Sequence, residues 1–569
     1  MKTRSPSPRR NAGLLLAAVI VASATVLGAQ QAPLRPGQSP GPRFIVPTLR
    51  SDAAPLAIQV TRALRERIAA DFDMRALWVV PESTITEYLK RSGYPVDQPL
   101  SPTETRQLAA AFRAEEFING SVARTPSGGF RIQTDWSLGG RADMVQPLPV
   151  LEAAKLSDLA KLVSQEFQAA RRQMESVRRC MEFARARNYT GALAEARKAI
   201  ATYPRSVFGR VCIANIYDEQ KLGPDSMIRI SREILDIHPE NQRALAFAAD
   251  AYGAKEMVAE QIQSLRTLYT ADSSNRRVGV SLTRALASAA RYEEARPLID
   301  ALAGQFAADA EVLDLQWRVR LAMKDWVAAL AAGKRLEAAD SSAATRDYFL
   351  RMIAAAQAAG DTTQALGLAE RGAARLPDDA ELQLVYAQLL RRTGQARKAL
   401  EVLDSLIARN PRTPNAWLQK AATEADLGAS PDSLFATLGR GVENGEDRGD
   451  VARAATALGG TVLRAAAADT LTTYRTAIRF YKFAESVQSR DSTAFYLGGT
   501  SLRLAQLASR EARSARSCDL AKESQAAVVD AQVYLMKGGR ADPVRTPQLL
   551  GLVPQTSAYI DQLAKALCR

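Results

Sequence analysis

The sequence of 569 residues has few of the side chains that carry most enzyme chemistry. His238, which directly precedes Pro239, is its single histidine. With only one histidine, a histidine-based triad or zinc site is excluded or incomplete. The cysteine spacing matches no metal motif, and the glycine motifs of phosphate-binding loops and nucleophile elbows are missing. Adjacent carboxylates such as Glu293 and Glu294 do not face each other on a helix. The sequence therefore predicts no enzyme activity, no cofactor and no metal site.

Aromatic residues are also scarce, at 6%, and charges of one sign form no long runs. Few aromatics together with abundant alanine favour closely packed helices over a β-rich core. The net charge is +14, but the basic residues are scattered, which is typical of a solvated face rather than of a nucleic-acid interface.

The first 29 residues have the order of a secretory signal peptide. Four basic residues between Lys2 and Arg10 precede an apolar run from Leu14 to Leu27, and small residues follow up to Ala29. The run is shorter than the roughly 20 residues that span a bilayer. This length favours cleavage near Ala29 over the alternative of an uncleaved anchor. Cleavage lowers the net charge from +14 to +10.

We expect an exported product, periplasmic or secreted, with no transmembrane segment in the mature chain. The first cysteine is Cys180, so the lipid-bearing cysteine of a bacterial lipoprotein is missing. Residues 30–42, rich in Pro, Gly and Gln, predict a flexible leader. Export argues against a nucleic-acid partner, and peripheral association with an anionic envelope surface stays open.

Export predicts that the four cysteines form disulfides, because disulfides persist in oxidising compartments. Cys518 and Cys568 bracket the final helices, and Cys180 and Cys212 lie about one repeat apart near the start of the helical region. We expect the bonds Cys518–Cys568 and Cys180–Cys212, with the former favoured. Four buried free thiols are the alternative.

Residues 43–150 predict a small α/β domain in the order β-α-β-α-α-β-β. Short apolar runs end in proline near residues 47 and 81, and residues 115–140 alternate apolar and polar residues around a Gly-rich turn, as in a β-hairpin. The segments LWVVP, LAAAF and INGSV resemble the N-terminal domain of the periplasmic protein TolB and the TolB-like modules that precede repeat arrays in bacterial proteins. A connecting helix is expected over 151–172.

From residue 173 onward, the sequence predicts an α-solenoid of helical hairpins. Ala365 and Ala399 lie 34 residues apart, as do Pro377 and Pro411, and a period of this length indicates stacked helical hairpins. The unit 380–413 resembles the tetratricopeptide repeat (TPR), with residues suited to close helix contact, the turn and the stop: Ala387, Gly394, Ala399 and Pro411. We expect a TPR array over 173–447, and irregular TPR-like hairpins with a capping helix over 448–569.

The TPR resemblance implies that the first helices of the hairpins line a concave wall that binds partners. Family positions that face this groove fall here on ten candidate residues: Val280, Arg284, Asp314, Arg318, Leu350, Leu384, Gln388, Arg391, Arg392 and Leu418. The residues present do not fit the family's carboxylate-clamping mode. Leucine with arginine suits an amphipathic helix or an acidic extended segment. Simple solvation of these positions is the alternative.

Two functions from different classes remain after these exclusions. The favoured hypothesis is a non-catalytic, exported scaffold that binds protein partners through the concave surface and the α/β domain in a cell-envelope complex. The second is a periplasmic sensor in which the α/β domain binds a small molecule or glycan. The sequence does not name the partner.

Overall fold

The computed structural model describes residues 31, 40–96, 98–139, 144–465 and 470–568. The predicted signal peptide, 1–29, and most of the predicted leader, 30–42, lie outside the described residues. The chain divides into two compact units, 1–290 and 291–569. The first contains an α/β domain followed by helical hairpins, and the described part of the second is helical. The predicted fold class is confirmed.

The described part of the α/β domain contains six strands and four helices. The strands are β1 (Arg43–Ile45), β2 (Trp78–Val79), β3 (Glu116–Arg124), β4 (Phe130–Leu138), β5 (Val145–Pro147) and β6 (Leu151–Ala153). The helices are α1 (Ala54–Asp71), α2 (Glu82–Arg91), α3 (Pro102–Ala111) and α4 (Leu156–Arg171). The sheet order is β2-β1-β3-β4-β5, with β1 parallel to both of its neighbours and β3 antiparallel to β4.

Helices cover both faces of the parallel part of this sheet. Successive residues of a strand point to opposite faces. Phe44 accordingly belongs to a buried cluster with residues of α1 and α4, whereas Ile45 belongs to a second cluster with residues of α2 and α3. The Phe44 ring stacks on Phe167 of α4 with 5.1 Å between ring centroids. The domain therefore has three layers, with β1 at its centre.

The structure keeps the seven predicted elements of this domain and adds two short strands. Both pair antiparallel with β4 on the edge away from β3, β5 along 135–137 and β6 along 130–132. Pro147 of β5 is tolerated because an edge position demands no donor from it. The following helix, α4, is tied to the sheet by Arg171, which donates to Glu116 of β3 at 2.9 Å.

Seven helices complete the first unit. They are α5 (Met174–Arg185), α6 (Tyr189–Thr202), α7 (Val207–Glu219), α8 (Pro224–Leu235), α9 (Gln242–Ala254), α10 (Val258–Ala271) and α11 (Arg276–Ser288). Small residues let paired helices approach, since Ala192, Ala196 and Ala199 of α6 are all completely buried.

The second unit continues with helices of the same length and then with longer ones. They are α12 (Tyr292–Gln305), α13 (Ala310–Ala322), α14 (Trp326–Ala339), α15 (Arg346–Ala358), α16 (Thr362–Arg375), α17 (Ala380–Arg392), α18 (Ala396–Arg409), α19 (Ala416–Asp426), α20 (Pro431–Glu443), α21 (Arg448–Ala465), α22 (Leu471–Val487), α23 (Asp491–Ala515), α24 (Cys518–Lys537) and α25 (Arg545–Leu567). A short 3₁₀ turn, Ser341–Ala343, follows α14.

The turn inside each regular hairpin contains one residue with left-handed backbone. This residue recurs through both units at Arg187, Lys221, Glu256, Ala290, Lys324, Gly360, Gly394 and Gly428. Glycine adopts such a conformation without steric cost, whereas a residue with a Cβ does not. The backbone thus keeps the repeat phase where the sequence has lost its glycine marker.

Candidate functional site

The second unit presents a face made of first helices. The first helices of neighbouring hairpins contact each other, α15 with α17 and α17 with α19. Side-chain caps begin these helices, since Asp379 accepts from the Leu382 backbone N–H at 2.9 Å and Asp309 accepts from that of Val312 at 3.1 Å. We define the first-helix face by the residues Asp314, Arg318, Leu350, Ala354, Leu384, Gln388, Arg391, Arg392 and Leu418.

Three leucines form a row along the first-helix face. Leu350, Leu384 and Leu418 lie at the same position of consecutive 34-residue units, and each is half-buried. Leu384 packs against buried residues of its own hairpin and the next, and Leu418 packs against the cluster around Ala421. The inner sides of Leu384 and Leu418 are therefore held in place, and part of each of the three leucines meets solvent. Exposed Ala354 and Gln388 flank this leucine row.

The charges on the first-helix face are mostly neutralised. Arg318 contacts Asp314 at 2.8 Å one turn away, and Arg391 of α17 contacts Asp426 of α19 at 3.1 Å. Arg392 is exposed and has no ion-pair partner in the described part of the chain. Exposed pairs of this kind are worth about 0–1 kcal/mol each. They leave one spare cation, Arg392, on α17.

The remaining two candidates lie on α11, in the first unit. Val280 is only 3% exposed, because α11 buries a wide face that also includes Leu282 and Leu286. It is therefore inaccessible to a partner, and its assignment to the binding wall is wrong. Arg284 is exposed on the same helix.

Trp317 occupies a position where the resemblance to the TPR predicts a small residue, and the structure shows what compensates for it. A Cβ built on Gly333, in the second helix of the same hairpin, would lie 3.2 Å from the Trp317 indole nitrogen and 2.4 Å from Met352 Sδ. The glycine thus provides the volume that the tryptophan fills. Trp317 and Gly333 are in different helices. The sequence therefore reveals that one compensates for the other only when it is already known which positions of the two helices face each other.

Second helices are joined across repeats by arginines. Arg371 of α16 pairs with Glu337 of α14, whose carboxylate also accepts from the Tyr348 hydroxyl at 3.0 Å. Burial, reinforced by Glu337, raises the pKa of Tyr348, so the phenol stays protonated.

Two further arginines of second helices donate to backbone carbonyls of the preceding repeat. Arg375 donates to the Ser341 carbonyl at 2.7 Å, and Arg409, one repeat later, donates to the Pro377 carbonyl at 2.5 Å. These bonds fix the spacing of consecutive hairpins.

The hairpin α19–α20 begins in an irregular way. Asn415 has left-handed backbone and its side chain makes no cap bond to α19. The buried carboxylate of Glu446 replaces it, accepting from the backbone N–H groups of Asn415 at 2.8 Å and Trp417 at 3.0 Å. An anion at a helix N-terminus satisfies free donors and complements the helix dipole. The residue that caps α19 thus follows it in the sequence by about 30 positions.

Both expected cysteine pairs are bonded in the structure. Cys180 and Cys212 join α5 to α7 with Cα atoms 6.6 Å apart, and Cys518 and Cys568 join the start of α24 to the end of α25 with Cα atoms 4.9 Å apart. Both distances lie within the usual range for disulfides. The described residues contain no free cysteine.

His238 lies in the turn between α8 and α9, where its backbone carbonyl accepts from Asn241. Burial lowers its pKa, against the opposing effect of Glu240, so the neutral ring is favoured. Across the described ranges, no group of three or more His, Cys, Asp or Glu side chains is placed to hold a metal ion. No helix in these ranges is both long and apolar enough to span a bilayer.

One family model matches part of the chain. The sequence profile described as tetratricopeptide repeat matches residues 356–422, whereas no curated protein matches the chain. A solved structure of YrrB, a TPR protein with an unusual peptide-binding site, is 17% identical over 32% of this chain and 93% of that chain, with a TM-score of 0.29. Naa15/Naa10 bound to HypK-THB is 11% identical over 65% of this chain and 64% of that chain, with a TM-score of 0.40. A tetratricopeptide repeat protein from Parabacteroides merdae is 12% identical over 44% and 94%, with a TM-score of 0.29. Residues 356–422, from the end of α15 into α19, therefore carry tetratricopeptide repeats.

Proposed function

We propose that this chain is a non-catalytic protein-binding scaffold that holds an amphipathic helix of a partner on the first-helix face. The observation that carries the proposal is the leucine row. Three half-buried leucines at one repeat position offer apolar contacts at regular intervals on a face that is otherwise polar. TPR proteins generally mediate protein–protein interactions.

The spacing of the row determines which segment fits it. Packed helices lie about 8–10 Å apart, so neighbouring leucines of the row are separated by a similar distance. A partner helix rises about 1.5 Å per residue, so this distance corresponds to about five to seven positions. Apolar residues about seven positions apart, which lie on one face of a helix, would meet successive leucines. This is the pattern of an amphipathic helix that lays one apolar stripe into a groove.

The electrostatics of the face favour an acidic residue on the partner helix. Arg392 is the spare cation, and it lies on α17, the helix that carries the middle leucine, Leu384. An acidic residue of the partner near Arg392 would gain an ion pair without breaking one. An acidic residue near Arg318 would instead compete with Asp314, which is already paired with it.

The setting of this interaction is a cell-envelope complex. The support is the sequence of residues 1–29, which has the order of a signal peptide, and the TolB-like pattern of residues 43–145. The two disulfides are consistent with an oxidising compartment. In this setting the α/β domain supplies a second contact surface beside the repeats.

Site-specific photocrosslinking in the native host tests the scaffold. A photoreactive residue replaces exposed Gln388 on the first-helix face, and the matched control places it at Val327, which is 75% exposed on the second helix α14. We expect one defined protein adduct at position 388 and none at 327. Mass spectrometry of the adduct should locate a segment with apolar residues about seven positions apart.

A double substitution Leu350→Glu and Leu418→Glu should abolish the adduct at 388, because it places charge in the row. Val327→Glu adds the same charge elsewhere in the unit and should leave the adduct intact. Equal crosslinking at 388 and 327, or an adduct that survives the double substitution, would refute the proposal. An extended acidic segment in the adduct would refute the helical partner.

A further inference from the structure

The α/β domain contains a cavity of about 190 Å³. It is lined by the segment that follows β1, by one side of α1, by α2 and by the loop before α3. The lining residues are Pro47, Thr48, Ile58, Thr61, Arg65, Glu82, Ile85, Thr86, Leu89, Val96, Gln98 and Leu100. None of them belongs to the helical repeats.

The topology of the sheet explains why a cavity forms at this place. β1 lies between β2 and β3 and is parallel to both. The chain leaves β1 for α1 on one face of the sheet and leaves β2 for α2 on the other. Beyond the carboxyl ends of the two strands, the first turns of the connections diverge and leave a crevice. Open α/β sheets bind their ligands in such crevices.

Arg65 is the one cation among the described residues of the lining, and it is nearly buried. Its side chain is 9% exposed, its Nη2 donates to the Val46 carbonyl at 2.6 Å, and its Nη1 approaches Glu82 at 3.3 Å. Its Nε, also buried, has no hydrogen-bond partner in the described part of the chain. The guanidinium of Arg65 therefore lies in the lining of the cavity with one N–H group, at Nε, that has no hydrogen-bond partner in the described residues.

The carboxylate opposite Arg65 is shared with a second guanidinium. Arg62 donates to both oxygens of Glu82, at 3.1 and 3.3 Å, so one carboxylate faces two cations. The next acid along α1, Glu66, is exposed to solvent. Burial lowers the pKa of Arg65 even though Glu82 acts in the opposite direction. A buried charge without full compensation is costly, and an anionic ligand reduces that cost.

A neighbouring cavity shows by contrast what is special here. It measures about 220 Å³ and shares Leu89 and Leu100 with the first, but its lining contains Glu104 and no cation among the described residues. An anion entering the second cavity would meet Glu104 and no described cation, whereas in the first cavity Glu82 is paired with Arg62 and Arg65. The first is therefore the one better suited to an acid.

We propose that the first cavity binds a small carboxylate with an apolar body, its carboxylate against Arg65 and its body against Ile85 and Leu89. This gives a site and a ligand chemistry to the second hypothesis drawn from the sequence, and it is independent of the partner of the leucine row. An engineered apolar cavity of about 150 Å³ holds benzene, so a cavity of this size admits an acid such as phenylacetate. The same chemistry is present in a free organic acid and in the C-terminal residue of a peptide.

Ligand-observed saturation-transfer NMR on the full chain tests the site. Two acids are compared with their neutral amides. The first pair is phenylacetate and phenylacetamide, and the second is the peptide Gly-Gly-Phe with a free C-terminus and the same peptide amidated at its C-terminus. We expect at least one acid to bind at least tenfold more tightly than its amide. Tighter binding of Gly-Gly-Phe than of phenylacetate identifies a peptide terminus as the source, and the reverse identifies a free acid.

Variants locate the binding. Thr86→Phe fills the cavity and leaves Arg65 in place, so it should abolish binding of the acid. Thr84→Phe adds the same ring on the exposed side of α2, outside the lining, and should leave binding unchanged. Arg65→Gln should reduce the affinity of the acid to that of its amide, with thermal melting as the check on folding. Equal binding of acid and amide, binding retained in Thr86→Phe, or no binding of either acid would overturn the proposal.

Discussion

Replacing Gly498 by alanine tests how closely α23 and α24 pack. A Cβ built on Gly498 would lie 2.6 Å from the backbone nitrogen of Leu535 and 3.0 Å from the carbonyl carbon of Tyr534. Both atoms belong to the backbone of α24, so no side-chain rotation relieves the contact. The neighbouring Gly499 offers a matched control, because its Cβ would meet nothing closer than Leu549 Cδ1 at 3.7 Å.

The two substitutions should change stability in opposite directions. Alanine in place of glycine within a helix stabilises by about 0.5–1 kcal/mol, and Gly499→Ala should show this gain. Overpacking costs about 1–3 kcal/mol, and contact between two backbones belongs at the upper end of that range. Gly498→Ala should therefore lose about 2 kcal/mol, leaving about 3 kcal/mol between the variants.

Hydrogen exchange followed by mass spectrometry is the suitable assay, because a chain of this size does not unfold in two states. A loss of about 2 kcal/mol corresponds to roughly 30-fold faster exchange, and it should appear in peptides from α24. Exchange in Gly499→Ala should be unchanged or slower. If α24 exchanges equally fast in both variants, the close approach of the two helices is refuted.

Three further predictions address the cap of α19, a repeat turn and a buried acid. Glu446→Ala strands the buried Trp417 N–H and the partly buried Asn415 N–H at a cost of about 1–3 kcal/mol, so α19 amides should exchange faster, whereas Glu443→Ala at an exposed site should leave them unchanged. Lys324→Gly relieves left-handed backbone at φ 58° and should stabilise by up to about 1 kcal/mol, slowing amide exchange in α13 and α14; faster exchange there would contradict the turn. Burial raises the pKa of Asp135 above its ordinary 3.8, so the folded state binds this proton more tightly than the unfolded state and stability falls as the pH rises through that range. Asp135→Asn should therefore raise the Tm at pH 7 but not at about pH 3, and an equal rise at both would contradict the assignment.

Local pattern was sufficient for much of the fold. Ala365 and Ala399 predicted the hairpins correctly because both are completely buried where two helices meet, and a residue with a larger side chain could not recur there. The β3–β4 hairpin was also predictable from the sequence, because the alternation of apolar and polar residues reflects the period of a strand. The two cysteine pairs followed from their positions near the ends of the helical region.

Features that join distant residues were not predictable in the same way. The sequence around Asn415 does not predict that Glu446 caps α19. The sequence around Trp317 does not predict that Gly333 leaves space for the indole ring. Family positions placed Val280 on the binding wall, but its exposure depends on the residues packed around it. These contacts depend on pairings that no local period encodes.

The same division applies to the candidate sites. The sequence alone determined that the chain has an α/β domain and a repeat region, and which repeat position holds the leucines, because hydrophobic period and turn residues act within one or two turns of chain. Only the tertiary structure decided that these leucines keep one side in solvent and that Arg65 and Glu82 converge on a cavity. Accessibility and convergence are set by which surfaces cover one another, and that is a property of the packed chain.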